Sequence, residues 1–585
     1  MAGADLTSPR NVNREPENRL YTRHLTLPEP DIPSFDPIPF RVRIGVTGHR
    51  TLPSDINFAN DVRHAIDLII RPMVEAAAGE LENLGERRQP PILYSVVSPL
   101  AEGADRLVAR EVLRRKGARL KAVLPLTQAD YLKTFENKQA RDEFLRLLEY
   151  CPHPVCLRDR DLSQDSADEN RQRELRQDAY DKVGRYVVDH CDVLIALWDG
   201  ETSRGKGGTY EVVQYALTEK RPVVRVWDGA AKILDNDEGD RPAIDVKSMD
   251  GISRFNSLVP EDEDGPRLRR RFEKSFFGEK GQLGAELGEA SQAEFSSWLL
   301  PFYARASLMA EEEKSFFMRL GNLLYALSAL AVGCVAVGVL LDSKWGYALE
   351  LIVLLVIWSG LIWTEEDAPR AVWIETRFLA ERIRCAGFLA MAGLEAAPAE
   401  TLPFMAHAHG RDDWMVRVFD EIMCRRPDLK NMPNPVGLKG GIQTLWLERQ
   451  IEHHRDRASA GRGARRRLEV IQKALLGATI IAAAIHLTIP GNNQKSPFEL
   501  TLTTVAILFP AIAASTVGIQ VQREYGRLAK RSESFGLAVE RLKRRMANAD
   551  TDDRFRAILR EADELFLRES QDWLMLMRHV EIKVG

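Results

Sequence analysis

The sequence has little of the cysteine chemistry that builds metal centres and disulfide frameworks. Its six cysteines are scattered along 585 residues, at Cys151, Cys156, Cys191, Cys334, Cys385 and Cys424. None of them has the paired spacing of a zinc site or a disulfide framework. Cys151 and Cys156 bracket His153, but this pattern is more typical of ordinary thiols near a strand than of metal ligands. We therefore predict reduced thiols and no metal site.

A strong net charge is also absent. The formal charge of -4 at pH 7 is too close to neutral for a typical nucleic-acid-binding protein, so we expect no nucleic-acid partner. The N-terminus lacks the basic, then apolar, then small-residue pattern of a signal sequence. Insertion into a membrane would therefore rely on internal apolar runs.

Such runs are the strongest feature that the sequence does have. Leu320–Leu341 carries no charge and is about 22 residues long, enough for a helix to cross a bilayer core of roughly 30 Å. Trp345–Trp363 follows after a short polar connection, which predicts a helical hairpin. A second apolar pair lies at about residues 470–489 and 500–521. The pattern predicts an all-α membrane region of two hairpins and four spans in contact with the lipid bilayer. The alternative is a pair of buried hairpins in a large soluble protein.

Charge asymmetry predicts the orientation of these spans. The two turns carry one lysine each, Lys344 and Lys495. The outer flanks are more basic, with Arg319, Arg370, Arg465, Arg466, Arg467, Lys473, Arg523 and Arg527. Because positively charged flanks tend to stay in the cytoplasm, we predict a multi-pass protein of the cell inner membrane. Both termini and the large soluble portions are expected in the cytoplasm.

The N-terminal half of the chain has a different pattern. Residues 1–40 are polar and proline-rich, which predicts a disordered tail. From Arg41 onward, short β-rich runs alternate with amphipathic helices, as is typical of βαβ units and a mainly parallel sheet. The predicted strands are Val42–Val46, Ile92–Val97, Lys121–Leu126, Pro154–Leu157, Val193–Leu197 and Val223–Trp227. The predicted helices lie near Asn57–Leu84, Ala104–Lys116, Gln128–Tyr150, Asp178–His190 and Thr209–Glu219. Residues 41–228 are therefore predicted to form an α/β Rossmann-like cytoplasmic domain that precedes the membrane region.

Three loops of this domain follow strands, where Rossmann-like sheets bind their ligands. After the first strand, Gly48 lets the backbone approach a ligand, and Arg50 can bind a phosphate or carboxylate through two hydrogen bonds. The second and third loops run into helices, and glycines before a helix N-terminus suit an anion. Together the loops predict a nucleotide-type ligand bound by Gly48, His49, Arg50, Glu102, Gly103, Asp105, Arg106, Asp199, Gly207, Gly208, Thr209 and Glu211. Each loop alone also fits simple chain reversal, and Thr209 alone fits an N-cap.

The motifs in these loops are GVTGHR, SPLAEGADRLVA and GKGGTYEVVQYA. They resemble those of SLOG domains, the Rossmann-like superfamily that includes the lonely-guy phosphoribohydrolases. The resemblance covers about residues 41–228 and implies binding, in some members hydrolysis, of a nucleotide or nucleotide-derived signal. The hydrolase pattern resembles Gly-Gly-x-Gly-Thr-x-x-Glu, whereas this chain has Gly207-Gly208-Thr209-x-Glu211. The shorter spacing turns Glu211 by about 100° on its helix, which favours binding over catalysis. In an enzyme, Glu211 or Asp105 would act as acid or base.

The rest of the chain divides by composition. Residues 229–300 are predicted to be an acidic insertion and connector, 301–400 a first membrane module, 401–444 a linker, and 445–585 a second module with C-terminal cytoplasmic helices. Each module is predicted to have a helix, a transmembrane hairpin and a second helix. This arrangement resembles SLATT domains, two-span membrane modules coupled to SLOG and related sensors in bacterial conflict systems. The resemblance implies a homo-oligomer in which ligand sensing triggers oligomerisation and membrane permeabilisation.

Three functions fit these features. The leading one is a sensor and effector, in which a cytoplasmic nucleotide signal controls the membrane helices. The second is a membrane-tethered nucleotide or nucleoside-monophosphate hydrolase. The third is a scaffold whose Rossmann-like domain is empty. A tether needs only one span, so four predicted spans favour the sensor.

Overall fold

The computed structural model describes the chain as two compact units. The first comprises Met1–Ser257 and His409–Arg417, and the second comprises Leu258–Ala408 and Val418–Gly585. The described residues are 37–54, 56–82, 89–151, 154–158, 160–162, 168–202, 207–234, 247–257, 272–278, 287–366, 369–394, 396, 413–427, 437–489 and 496–578. The predicted tail lies outside them except for residues 37–40. His153, Lys495 and the first two residues of the third motif lie outside them too.

A seven-stranded sheet forms the centre of the first unit, with the order β4-β3-β2-β1-β5-β6-β7. Its strands are β1 (Phe40–Gly48), β2 (Ile92–Ser98), β3 (Arg119–Leu124), β4 (Val155–Cys156), β5 (Val193–Leu197), β6 (Val223–Trp227) and β7 (Ala230–Leu234). All neighbouring strands are parallel except β6 and β7. The predicted, mainly parallel Rossmann-like sheet is thus confirmed, and its order reverses between β1 and β5.

The described helices of the first unit pack around this sheet. They are α1 (Phe58–Ala65), α2 (Arg71–Glu82), α3 (Ala104–Leu113), α4 (Gln128–Leu132), α5 (Lys138–Leu148), α6 (Glu169–Asp189), α7 (Thr209–Thr218) and α8 (Lys247–Ser257). A π-helical segment, Ile66–Ile70, joins α1 to α2. Every residue of β5 is buried. Because successive side chains of a strand point to opposite faces, both faces of the sheet are covered at β5.

The structure differs from the sequence prediction at several elements. Residues 401–444 were predicted as a linker, but the helices Trp414–Cys424 and Lys439–Ile442 lie there. Residues 229–300 were predicted as loop and connector, but β7 and α8 lie there. Asp228 and Gly229 both have positive φ, 53° and 71°, which is the geometry of a tight hairpin turn between β6 and β7. The helix predicted over Gln128–Tyr150 is two helices, because Asn137 accepts a hydrogen bond from Ala140 N and starts α5. Helix α6 begins nine residues before the predicted Asp178, capped by Asp168.

A buried ionic cluster lies at the amino end of β5. Asp192 accepts hydrogen bonds from Arg43 Nη2 at 2.8 Å and from Arg417 Nη1 at 3.1 Å. Asp192 and Arg417 are only 4% and 7% exposed as side chains. Burial alone would raise the pKa of Asp192, but Arg417 and Arg43 together hold it well below its usual range. The cluster thus holds Arg417, and with it residues 413–417, against the sheet of the first unit.

Long helices make up the second unit. Its described elements are α9 (Glu289–Leu340), α10 (Lys344–Glu366), α11 (Pro369–Met391), α12 (Trp414–Cys424, of which residues 418–424 belong here), α13 (Lys439–Ile442), α14 (Arg449–Thr488), α15 (Pro497–Arg523), α16 (Tyr525–Ala547) and α17 (Asp552–Arg578). A π-helical segment, Gln443–Glu448, joins α13 to α14. Helix α9 is continuous over 52 residues and includes both the predicted pre-membrane helix and the first span.

Four helical stretches of this unit are long and apolar enough to cross a membrane: Ser291–Leu340, Lys344–Ile362, Lys439–Thr488 and Pro497–Ala547. Helix α9 packs against α10, α14 packs against α15, and α9 also packs against α15. The most apolar windows of α14 and α15 are only 6% buried, and those of α9 and α10 are 33% and 17% buried. These helices therefore leave most of their apolar surface exposed, as expected for contact with lipid or with another chain.

Glycines allow the close approach of these helices. In the first hairpin, a β-carbon at Gly346 would lie 2.5 Å from Gly338 Cα. Between the hairpins, a β-carbon at Gly518 would lie 2.3 Å from the ring of Tyr325. Larger residues would push the helices apart at both points, and small residues are typical of close contacts between membrane helices.

The helices outside the apolar runs have a core of their own. Helix α17 packs against α11 and α16, and α16 packs against α14. Trp446 stacks on Phe388 and on Phe566, with ring centroids 5.2 and 5.0 Å apart. Arg382 and Asp563 form an ion pair of 2.7 Å that is almost fully buried. A buried charge pair of this kind needs its geometry kept intact, because loss of one partner leaves an unpaired buried charge.

Candidate functional site

The carboxyl ends of β1 and β5 meet at the point where the strand order reverses. His49, directly after β1, donates its backbone N–H to the carbonyl oxygen of Leu197 at 3.1 Å. The His49 Nε2 atom lies 3.1 Å from Asp199 Oδ1 and 3.3 Å from the Asp199 backbone nitrogen. The first and third predicted loops are thus joined at the topological switch point, where such sheets bind ligands.

The second predicted loop closes against the first through glycine. Gly103 has a φ of +82°, and a β-carbon there would lie 2.2 Å from the carbonyl oxygen of Arg50. Ala104 donates its N–H to the carbonyl oxygen of His49 at 3.1 Å. Gly48 is equally enclosed, since its β-carbon would lie 2.5 Å from Ala104 Cβ. Both glycines serve the contact between two loops.

Arg50 is the exposed cation of this edge. Its guanidinium carbon lies 5.5 Å from the ring centroid of Tyr180 on α6. Burial lowers the pKa of Arg50, but the Tyr180 hydroxyl and the Asp105 carboxyl raise it, and the net direction is upward. Because an arginine stays protonated in proteins, Arg50 provides a permanent positive charge at the site.

Asp105 lies behind Arg50 in the first turn of α3. Its side chain is buried and accepts a hydrogen bond from Ala101 N at 3.1 Å. Burial raises the pKa of Asp105 to about 7, although the Ala101 N–H, Arg50 and Arg106 favour the charged form. A carboxyl group that titrates near neutral pH can hold or release a proton there.

The N-terminus of α7 carries the third group of predicted residues. Gly208 is its N-cap and Thr209 its first helical residue, so the N-cap reading of Thr209 is wrong. Gly207 has a φ of +80°, and a β-carbon there would lie 3.0 Å from Asp181 N and 3.3 Å from the carbonyl carbon of Tyr180. The Gly207 N–H donates to Glu211 Oε2. Glu211 therefore stabilises the loop that opens its own helix.

Two other predicted residues have different surroundings. Arg106 is 2% exposed and donates to the carbonyl oxygens of Leu100 and Ala140 at 3.0 and 2.8 Å. These bonds hold α3 against α5 and give Arg106 a structural role. Glu102 is half-buried, and its Oε1 is buried without a hydrogen-bond partner among the described residues. Among the described residues, no donor thus satisfies this carboxylate oxygen.

No pattern in the sequence pointed to the tyrosines that border this site. Tyr180, in the middle of α6, has its ring beside Arg50 and its backbone beside Gly207. Tyr131 is buried in α4, where burial first and then the Asp105 charge raise its pKa well above the usual value. Neither tyrosine follows a strand, so the rule that located the other residues does not reach them.

Known proteins give no direct assignment for this site. No protein-family model, curated protein or solved structure matches the chain. Within the described ranges, no group of three or more histidine, cysteine, aspartate or glutamate side chains is placed to hold a metal ion. The predicted charged groups that the structure places at this edge are Arg50 and the carboxyl groups of Glu102, Asp105 and Asp199, beside the N-termini of α3 and α7.

Proposed function

We propose that the first unit binds a nucleotide-type anion at the carboxyl ends of β1 and β5. The observation that carries this proposal is the position of Tyr180, whose ring lies beside Arg50 on one loop and whose backbone borders Gly207 on another. An exposed arginine and the N-terminus of α7 thus border the same residue of α6, the arginine at its ring and the helix end at its backbone. A guanidinium and helix N–H groups are both suited to phosphate oxygens. The SLOG-like motifs form these same loops, which supports the assignment.

The carboxylates of the edge suit the rest of such a ligand. Glu102 retains an unpaired acceptor oxygen, and Asp199 lies beside His49 at the switch point. Sugar hydroxyls and base amino groups are donors that a carboxylate can accept. A phosphate held by Arg50 would therefore place donor groups, not further anions, near these side chains. This arrangement of one cation and several acceptors favours a nucleotide over inorganic phosphate.

We further propose that the four apolar helices lie in a membrane and respond to the ligand. Their exposed apolar surface supports contact with lipid and with other copies of the chain. Positively charged flanks place both termini on the cytoplasmic side in this proposal. In line with the SLATT-like arrangement, ligand binding would change how the helices assemble, and so control permeability.

A second candidate function is hydrolysis of the ligand. It is favoured by one observation, the Asp105 carboxyl with a pKa of about 7 directly behind Arg50. A group that titrates near neutral pH is suited to acid-base chemistry. Against this reading, Asp105 is only 5% exposed, and Glu211 is committed to the Gly207 N–H. Binding without turnover is therefore the function that the geometry supports best.

The test is to identify what the full-length protein carries. Protein purified in a neutral detergent is denatured, and the released small molecules are identified by mass spectrometry. Arg50→Ala removes a charge-assisted contact, so the amount of bound nucleotide should fall by roughly tenfold or more. The matched control is Arg71→Ala, because Arg71 is exposed and pairs with Glu75 on α2. Equal release from both variants would contradict the proposed site. Turnover of the ligand by the wild type, lost in Asp105→Asn, would favour the hydrolase.

A further inference from the structure

A cavity with an excess of positive charge lies between α9 and α15 in the second unit. Its volume is about 520 Å³, within the range of roughly 300–1,000 Å³ for small-ligand sites. The residues that matter here are Glu311, Lys314, Met318, Arg319, Asn322 and Arg523. Three cations against one carboxylate leave an excess of two positive charges.

The cations of this cavity are not neutralised by the fold. Arg523 donates Nη2 to Asn322 Oδ1 at 3.2 Å, while its Nε is buried without a hydrogen-bond partner among the described residues. Arg319 donates Nε to the Ser315 carbonyl oxygen at 3.3 Å. In the described part of the chain, neither Lys314 nor Arg319 forms an ion pair. Their charges are therefore available to an anion.

Neighbouring helices add to the positive potential. Arg377 on α11 and Arg457 on α14 both interact electrostatically with Lys314 and repel its ammonium group. Opposing carboxylates interact with Lys314 or with Arg377, namely Glu311, Glu381 and Glu569. Burial is the largest influence on Arg377 and lowers its pKa. A bound anion would relieve part of this repulsion.

The cavity lies where both helices change from polar to apolar. On α9, Arg319 is followed directly by the apolar run that begins at Leu320, and on α15 Arg523 follows the run that ends at Val521. Leu323, Leu330 and Val337 recur every seven residues along α9, and each is about half exposed, at 54%, 50% and 49%. This spacing puts the three side chains on one face of the helix, extending away from the cavity.

We propose that this cavity binds the phosphate group of an anionic phospholipid, with the acyl chains along the Leu323, Leu330 and Val337 face. The inference depends on the proposed membrane placement of the helices and is independent of nucleotide binding. Basic pockets between membrane helices favour anionic headgroups on the cytoplasmic side. A dissolved phosphate could use the same cations, but it would not use the apolar face. The position of the cavity beside that face favours the lipid.

Native mass spectrometry of the full-length protein in a neutral detergent tests the proposal. The protein is given equal amounts of phosphatidylglycerol and phosphatidylcholine. The wild type should retain phosphatidylglycerol with a preference of about tenfold or more, as expected for loss or gain of one charge-assisted contact. Lys314→Gln and Arg523→Gln should each abolish most of this preference. Arg523→Lys keeps the charge and should retain it.

Lys473→Gln is the matched control, because Lys473 is an exposed cation near the start of the third apolar run and does not line the cavity. It should leave the preference unchanged within about twofold. An equal loss in Lys473→Gln would show general surface attraction and overturn the proposal, as would no preference in the wild type. Displacement of the lipid by inorganic phosphate alone would overturn the lipid as the occupant. Reconstitution into phosphatidylcholine bilayers is measured in parallel, and its failure would contradict the membrane placement as well. Nucleotide release from the same samples reports separately on the first unit.

Discussion

Replacement of Asp105 by asparagine should make the first unit more stable at neutral pH. The buried Asp105 carboxyl accepts one hydrogen bond, from Ala101 N, and an asparagine side-chain oxygen can accept the same bond. The substitution therefore keeps the shape and this contact and removes the ionisation, with an NH₂ group in place of the second oxygen. Most substitutions of buried residues destabilise a protein, so a gain in stability would be a specific result.

The magnitude follows from the pKa of Asp105, which is raised from 3.8 to about 7 in the folded protein. Between these values the folded state holds a proton that the unfolded state has released, so stability falls as pH rises from about 4 to about 7. A shift of about three pH units corresponds to about 4 kcal/mol. Above pH 7 the loss is complete, and below pH 4 it is absent. Asp105→Asn should therefore gain up to about 4 kcal/mol at pH 8 and almost nothing near pH 4.

Hydrogen exchange of the sheet amides in full-length protein, measured at several pH values, reports this difference. The matched control is Asp67→Asn, because the Asp67 carboxyl is paired with Arg115 at 2.7 Å and has a lowered pKa. That substitution should cost less than about 1 kcal/mol, since the pair is partly exposed. Equal protection of wild type and Asp105→Asn at pH 8 would refute the reasoning, because it would mean that the Asp105 carboxylate is well solvated or fully paired.

Three further outcomes are expected. Gly103→Ala should destabilise the first unit at least twice as much as Gly229→Ala in denaturant unfolding, for which roughly 1–2 kcal/mol is expected. Both glycines have positive φ, but only Gly103 has a backbone atom within 2.2 Å of the added carbon. Similar losses in the two variants would contradict the close contact at Gly103. Asp192→Asn should cost about 3–5 kcal/mol in the same assay because it removes the carboxylate charge that faces Arg43 and Arg417. The stabilisation by Asp192 should begin to fall below about pH 4 and decrease further as pH approaches its lowered folded pKa. A loss below 1 kcal/mol would show that the cluster is solvated. A cysteine at Ser343, in the first turn, should react in intact cells with an impermeant thiol reagent while the wild-type exposed cysteines, Cys156 and Cys424, do not; labelling only after lysis would reverse the proposed orientation.

Local sequence patterns were sufficient for the strands and the apolar helices. The bounds of β5 and β6 agree with the prediction because each is a short apolar run flanked by polar residues. The four apolar helices follow from length and composition. Strand β7 could also have been found, since Asp228-Gly229 is a strong signal for a hairpin turn.

Contacts between distant parts of the chain could not be predicted from local sequence patterns. Arg106 looked like a ligand residue in its motif, but the fold turns it toward Leu100 and Ala140. Tyr180 is brought beside Arg50 only by the packing of α6 against the sheet. The contact of Tyr325 with Gly518 joins spans that are almost two hundred residues apart. Such contacts depend on tertiary packing, which a local pattern does not contain.

The central claim is that an anion bound beside Arg50 controls the membrane helices. The most direct test is dye release from vesicles that contain the full-length protein, after addition of the small-molecule fraction released from purified wild-type protein. The account predicts dye release with the wild type and with Arg71→Ala, and a response to Arg50→Ala that needs roughly tenfold more of the fraction. Identical dose dependence for Arg50→Ala, or dye release that is independent of the added fraction, would contradict it.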